Sequence, residues 1–227
     1  MRYSEFEHIM SEARMSRYLA ACGGDSKKAM TLYRLNLKVS QELFTVISCF
    51  EVAMRNAING HCVSRLGNDW LLDAVSSGGC FDHRNCRVTM QSINDALRKL
   101  NHDYTHNKLV AELGFGFWRY MFAQHQFAAA GRSLLMIFPA KPTSTPAIQY
   151  NHTYVFNQMA HVNDLRNRIA HHEPVCFQPR LQRISTTYVR QHYAMILQLF
   201  QWMSIDESAL LYGLDHINVV ADRIDGL

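Results

Sequence analysis

All five prolines of this chain lie after residue 138, at Pro139, Pro142, Pro146, Pro174 and Pro179. Proline fixes its own φ, lacks an amide donor and clashes with the carbonyl one turn back, so it interrupts helices more effectively than any other residue. Its absence from the first 138 residues leaves long helices open there. The apolar pattern uses that freedom: Val39, Leu43, Val46, Ile47, Phe50, Met54, Ala57 and Ile58 form one continuous stripe at helical spacing. Asp25, behind Gly23-Gly24 and ahead of Ser26, Lys27 and Lys28, reads as a helix start after a turn. The periodicity predicts helices over 4–21, 26–66, 83–101, 107–127, 151–172, 181–203 and 206–223, the second with a break near Asn36. Strand-like alternation is confined to Leu134–Phe138. The expected class is all-α.

Two connections stand out. The stretch from Leu66 to Phe81 holds Gly67, Gly78 and Gly79 and reads as a loop, and PAKPTSTPAIQY, Pro139 to Tyr150, reads as a proline-punctuated linker. The expected organisation is a helical region over 1–138, the linker over 139–150 and a second helical region over 151–227. A single domain over 1–227 is the other arrangement that 227 residues allow.

A hydrophobic fraction of 48% with 19% charged residues is that of a globular chain. No run of eighteen apolar residues occurs, so we expect no membrane partner. The opening MRYSEFEHIMSEARMSRYL carries charges every few residues and lacks the apolar centre of a secretory signal, which predicts a cytoplasmic protein. None of the six cysteines forms a CxxC pair, and free thiols in a reducing compartment are the expectation. Cys80, His83 and Cys86 could hold a zinc ion only weakly, as three ligands from a glycine-flanked loop. His102 and His106 lack a third ligand and read as a solvated helix end. Neither GxxxxGK[ST] nor GxGxxG is present, so no nucleotide-hydrolysis or dinucleotide motif is found, and we expect no metal and no cofactor.

The net charge of +4, from 23 basic and 19 acidic residues, is compatible with a nucleic-acid ligand without demanding one. Its distribution says more. Residues 151–192 hold Arg166, Arg168, Arg180, Arg183 and Arg190 against Asp164 and Glu173, whereas the tail from Ser204 is acidic.

The segment 161–174, HVNDLRNRIAHHEP, packs Arg166, Asn167, Arg168, His171, His172 and Glu173 into eight residues. One reading is a polar helix end, with Asp164 paired to Arg168 at i,i+4 and the histidines at the negative end of the dipole. The other is an active site. Metal-free RNA cleavage needs a base for the 2′-OH, an acid for the leaving 5′-oxygen and cations for the phosphate. Histidine suits either proton transfer, and arginine grips phosphate with a fixed charge. Arg166 and His171 stand about 140° apart around a regular helix and on the order of 7–8 Å along it. One copy therefore presents them together only if the helix unwinds near His171, while two copies across a two-fold axis would unite both sets in one cleft.

The run Arg166-Asn167-x-x-x-His171 resembles the R-x4–6-H signature of HEPN domains, and RNRIAHHEP looks like its version in the Abi-like (abortive infection, phage resistance) family. Two further blocks are similar to that family's: Phe50-Glu51-Val52-Ala53-Met54-Arg55-Asn56-Ala57-Ile58, and Glu112-Leu113-Gly114-Phe115-Gly116-Phe117-Trp118, where Gly114 replaces an expected serine. The resemblance implies a HEPN-like helical bundle with additional N-terminal helices, paired into a homodimer. It also implies a metal-independent endoribonuclease that leaves 2′,3′-cyclic phosphate and 5′-OH ends and acts in phage defence by abortive infection. On this chain His171 would be the general acid/base and Arg166 the phosphate binder. Asn167 and His172 would complete the catalytic group, Glu173 would support it, and Arg168 would bind RNA. A non-coding RNA or an antitoxin partner fits such a toxin. The alternatives are a catalytically silent HEPN-like module that binds RNA or nucleotide, a toxin–antitoxin component, and an interaction scaffold.

Glu51 and Arg55 stand at i,i+4 and read as an intrahelical ion pair, or, with Asn56, as support for the arginine–histidine cluster. Phe115, Phe117 and Trp118 could stack bases, but core packing is favoured, with the two glycines of that block allowing close helix approach. Arg84, Arg87, Arg98, Lys99 and Lys108 are balanced by Asp82, Asp95 and Asp103 and read as a solvated face.

Overall fold

The computed structural model describes residues 1–178, Leu181 and 183–227. Pro179, Arg180 of the basic cluster, and Gln182 lie outside the described residues. The described chain is all-α. Its helices are α1 (Tyr3–Met10), α2 (Glu12–Ala21), α3 (Ser26–Leu66), α4 (Trp70–Val75), α5 (Arg87–Leu100), α6 (His106–Glu112), α7 (Phe115–Tyr120), α8 (Gln124–Ala129), α9 (His152–Ala170), α10 (Thr187–Trp202), α11 (Glu207–Leu210) and α12 (Ile217–Asp225). Among the described residues the β pairing is a single antiparallel bridge between Phe177 and Ile184. No helix of the described residues is long and apolar enough to cross a membrane.

The chain forms two compact units, one of residues 1–48, 164–198 and 207–227, the other of residues 49–163 and 199–206. Thus α3 contributes its first part to one unit and its remainder to the other, and residues 139–150 fall in the second.

In the first unit the helix expected over 4–21 is two helices. Ser11 takes a φ of 74°, which no helix tolerates, and its Oγ accepts the Arg14 N–H at 3.3 Å to start α2. Asp25 Oδ1 accepts from the N–H groups of Lys27 (2.9 Å) and Lys28 (3.0 Å), so the predicted start of α3 is where the sequence puts it. The break expected near Asn36 does not occur. Asn36 is 3% exposed, and its Oδ1 accepts from the amides of Val175 (2.8 Å) and Cys176 (3.2 Å). The polar residue in the apolar stripe is thus an acceptor for buried backbone, and the helix runs straight through it. The rings of Phe6, Tyr33, Tyr18 and Phe177 pack edge to face in series, with centroids 5.5, 5.1 and 5.1 Å apart. The helix expected from 181 begins only at Thr187, because the Ser185 N–H bonds to the Cys176 carbonyl (3.0 Å) and the Thr186 hydroxyl donates to Asp225 at 2.6 Å. The predicted helix 206–223 is split at Gly213, whose φ is 74°. Part of the acidic tail meets a base: Arg190 reaches Asp222 at 2.6 Å and Asp225 at 3.1 Å.

In the second unit, residues 66–81 are not wholly a loop. Trp70, Leu71 and Ala74 of α4 are buried, and Trp70 Nε1 donates to Asn59 Oδ1 at 2.9 Å. The helix expected over 107–127 becomes α6, α7 and α8, broken where Gly114 and Ala123 adopt extended backbone. Leu134–Ile137 is a 3₁₀ turn rather than a strand. Phe50 and Phe200 pack edge to face at 5.3 Å in the core, and residues 139–150 are held by the Ala140 N–H on the Trp202 carbonyl (3.1 Å).

Candidate active site

Arg166, Asn167 and Arg168 occupy the closing turn of α9, and His171, His172 and Glu173 form the turn that ends it. The ending is a complete Schellman pattern. The Glu173 N–H bonds to the Arg168 carbonyl and the His172 N–H to the Ile169 carbonyl, both at 2.9 Å, with His172 at φ 55°. Glycine normally fills this left-handed position, and a side chain there costs about 1 kcal/mol. Pro174 announces the end of the helix in RNRIAHHEP, but the glycine usual at the left-handed position is missing. Side chains from two other helices hold it. Arg14 of α2 donates to the His172 carbonyl at 2.8 Å, and Asn36 of α3 holds the amides just beyond Pro174.

His171 is exposed, and its N–H still bonds to the Asn167 carbonyl at 2.9 Å. The helical path therefore persists to His171, and unwinding begins one residue too late to swing it toward Arg166. The two keep the separation of about 140° that a regular helix imposes. Arg166 is half-buried and Asn167 exposed. Arg168 is built into the turn: its Nε donates to the Pro174 carbonyl at 3.0 Å and lies 3.7 Å from Glu173 Oε2. Its guanidinium also sits 5.1 Å from the ring centre of Tyr188. Burial raises the Tyr188 phenol above its ordinary value, against the lowering pull of Arg168.

A cleft of about 390 Å³ opens beside the turn, lined by Ser11, Arg14, Arg17, His171, His172 and Glu173 among others. Arg17 donates to the Leu181 carbonyl at 2.9 Å and lies 4.3 Å over the ring centre of Phe177. Arg14 and Arg17 escape notice in the sequence because they lie far from the three recognisable blocks. Only their i,i+3 spacing on an amphipathic helix hints that they share a face. On the other side of the turn an apolar groove of about 330 Å³ is lined by Leu37, Phe44, Ile169, His172 and Glu173, with Leu37 and Phe44 both exposed.

Glu51, Arg55 and Asn56 lie on α3 in the second unit, whereas the arginine–histidine turn lies in the first. Glu51 and Arg55 are half-buried and Asn56 is exposed; the Arg55 Nε is enclosed without a hydrogen-bond partner. Phe115 and Trp118 are core residues, with Trp118 Nε1 donating to the Leu113 carbonyl at 2.8 Å. The glycines beside them do not serve close helix approach, since a Cβ on Gly114 or Gly116 would meet open space. Gly114 instead supplies the extended residue ahead of α7. His106 is not a solvated end: its Nε2 lies 2.8 Å from Asn59 Oδ1, its Nδ1 is enclosed without a partner, and burial lowers its pKa. On the basic face of the second unit Arg98 pairs with Asp95 and Lys99 with Glu112 at 2.6 Å. His83 Nδ1 accepts the Asn85 N–H at 3.2 Å, burial raises the thiols of Cys80 and Cys86, and all six cysteines are free. Among the described residues no group of three His, Cys, Asp or Glu side chains is placed to hold a metal.

These features define an all-α protein with a basic, histidine-bearing cleft at the end of its motif helix. The family model of the Abi-like proteins matches residues 1–176, and the chain belongs to that family. No curated protein and no solved structure matches the chain.

Proposed function

We propose that this Abi-like chain is a metal-independent endoribonuclease of the HEPN type, acting in the cytoplasm in phage defence by abortive infection. The observation that supports this most is the end of α9. It leaves His171 exposed on a rigid turn, five residues from Arg166, with the helical path between them intact. A single copy holds the imidazole and the guanidinium on different faces, and a homodimer with two α9 ends facing across a two-fold axis would unite both pairs. In that cleft one imidazole takes the proton of a ribose 2′-OH, and the oxygen attacks the adjacent phosphorus. The P–O5′ bond breaks as a second imidazole delivers a proton to the leaving oxygen, which yields a 2′,3′-cyclic phosphate and a 5′-OH. The arginines stabilise charge on the phosphoryl oxygens, and Asn167 orients the group being cut. His172 and Glu173 shape the turn and the cleft wall, and Arg168 steadies it from behind.

The test is incubation of the purified protein with end-labelled RNA in EDTA beside His171→Ala, with analysis of product ends. Cleavage by the parent alone, with cyclic-phosphate ends, is the expected result. RNA bound but left intact by both proteins would instead favour the silent binding module.

A further inference from the structure

We propose that Arg14 and Arg17 hold a second phosphate of the RNA, next to the one that is cut, in the cleft they share with His171 and His172. This deepens the ribonuclease reading and rests on it. His171 lines this cleft itself, so an RNA strand with its scissile group at that imidazole has α2 as its neighbour on one side. The volume of about 390 Å³ admits a phosphate with part of its nucleotide.

The chemistry of the lining fits an anion. Each guanidinium carries five N–H donors in a rigid fork. One backbone carbonyl takes a donor from each: that of His172 from Arg14 (2.8 Å) and that of Leu181 from Arg17 (2.9 Å). Those bonds, and the stacking of Arg17 on Phe177 at 4.3 Å, hold the forks in place before any ligand arrives. Less side-chain entropy is then lost on binding. The acid on the same wall, Glu173, has Arg168 at 3.7 Å, which offsets its charge. The cleft thus presents two fixed cations and two imidazoles to one offset carboxylate.

A bracing role alone would also explain the two carbonyl bonds, so the experiment must read charge on the ligand. In a His171→Ala parent, which leaves RNA uncut, the affinity for a short single-stranded RNA is measured across a salt series by fluorescence anisotropy. Each phosphate neutralised contributes about 0.7 to the slope of log affinity against log salt on a single strand. Arg14→Ala with Arg17→Ala should flatten the slope by about 0.7, the share of the one phosphate they hold, and Arg17→Ala alone by part of that. Arg17→Lys, which keeps the charge but not the fork, should restore the slope with part of the affinity still missing. Thermal melting monitors folding, and Arg17→Ala serves alone if the double variant unfolds. Folded variants that bind with the parent's slope would overturn the subsite and leave the ribonuclease reading standing. A parent that binds no RNA at all would overturn both.

Discussion

The guanidinium of Arg14 donates to the main-chain carbonyl of His172 at 2.8 Å, joining residues 158 positions apart in the chain. His172 is held at φ 55° by two amide bonds of the helix end and by this third bond to its carbonyl. Strain retained at such a position is found where surrounding structure over-determines it, commonly at functional sites. Here it fixes the direction in which the chain leaves α9, and with it the place of His171.

Replacing His172 with glycine should raise stability, because glycine takes the left-handed conformation without a Cβ clash. The gain should be about 0.5–1 kcal/mol, or a rise of about 2–4 °C in melting temperature per kcal/mol for a chain of this size. A melting curve that is unchanged or shifted downward would show that the His172 ring contributes more by packing than its backbone loses by strain.

Asn36→Ala removes the acceptor for two buried amides, those of Val175 and Cys176. Each orphaned amide costs about 1–3 kcal/mol, so a loss of about 2–6 kcal/mol is expected in urea denaturation. Asn36→Asp keeps an acceptor and should lose less. Equal behaviour of the two variants would refute this account of the residue.

Trp118 is fully buried with its indole N–H on the Leu113 carbonyl, so it acts in packing and not in stacking bases. Trp118→Phe should destabilise by about 1–3 kcal/mol, from the lost bond and the space left behind. Its affinity for RNA, measured well below the melting temperature, should match the parent's. A selective loss of RNA binding at unchanged stability would assign the ring to the ligand instead.

Asp225 links pH to stability. Burial pushes its carboxyl pKa up, but the bonds from the Thr186 hydroxyl and the Arg190 guanidinium outweigh that and leave it below its ordinary value. A carboxylate depressed in the folded state contributes stability above its unfolded value, about 3.9, and loses it as pH falls through the folded value. Asp225→Asn should therefore be less stable than the parent at pH 7, and the gap should close as pH is lowered from about 4. Denaturation at pH 7 and across a series that runs well below about pH 4 measures it, and a gap that persists at the acid end would sink the assignment.

The local pattern was enough for much of this protein. The proline-free stretch and the apolar stripe specify α3 over Ser26–Leu66, and Asp25 marks its start, because helical period and capping are properties of near neighbours. The polar cluster at the end of α9 was legible for the same reason, as were the three blocks that resemble the Abi-like family. The breaks were not. Ser11 and His172 take positive φ without being glycine, so no residue type announces them. The run over 107–127 divides at backbone turns that helical periodicity does not register, and α4 hides between glycines because Trp70 needs Asn59 to hold it. The role of Asn36 and the place of Arg14 and Arg17 depend on residues more than a hundred positions away. Hydrogen bonds over such distances exist only once the chain has folded, so the tertiary structure alone decided what surrounds His171.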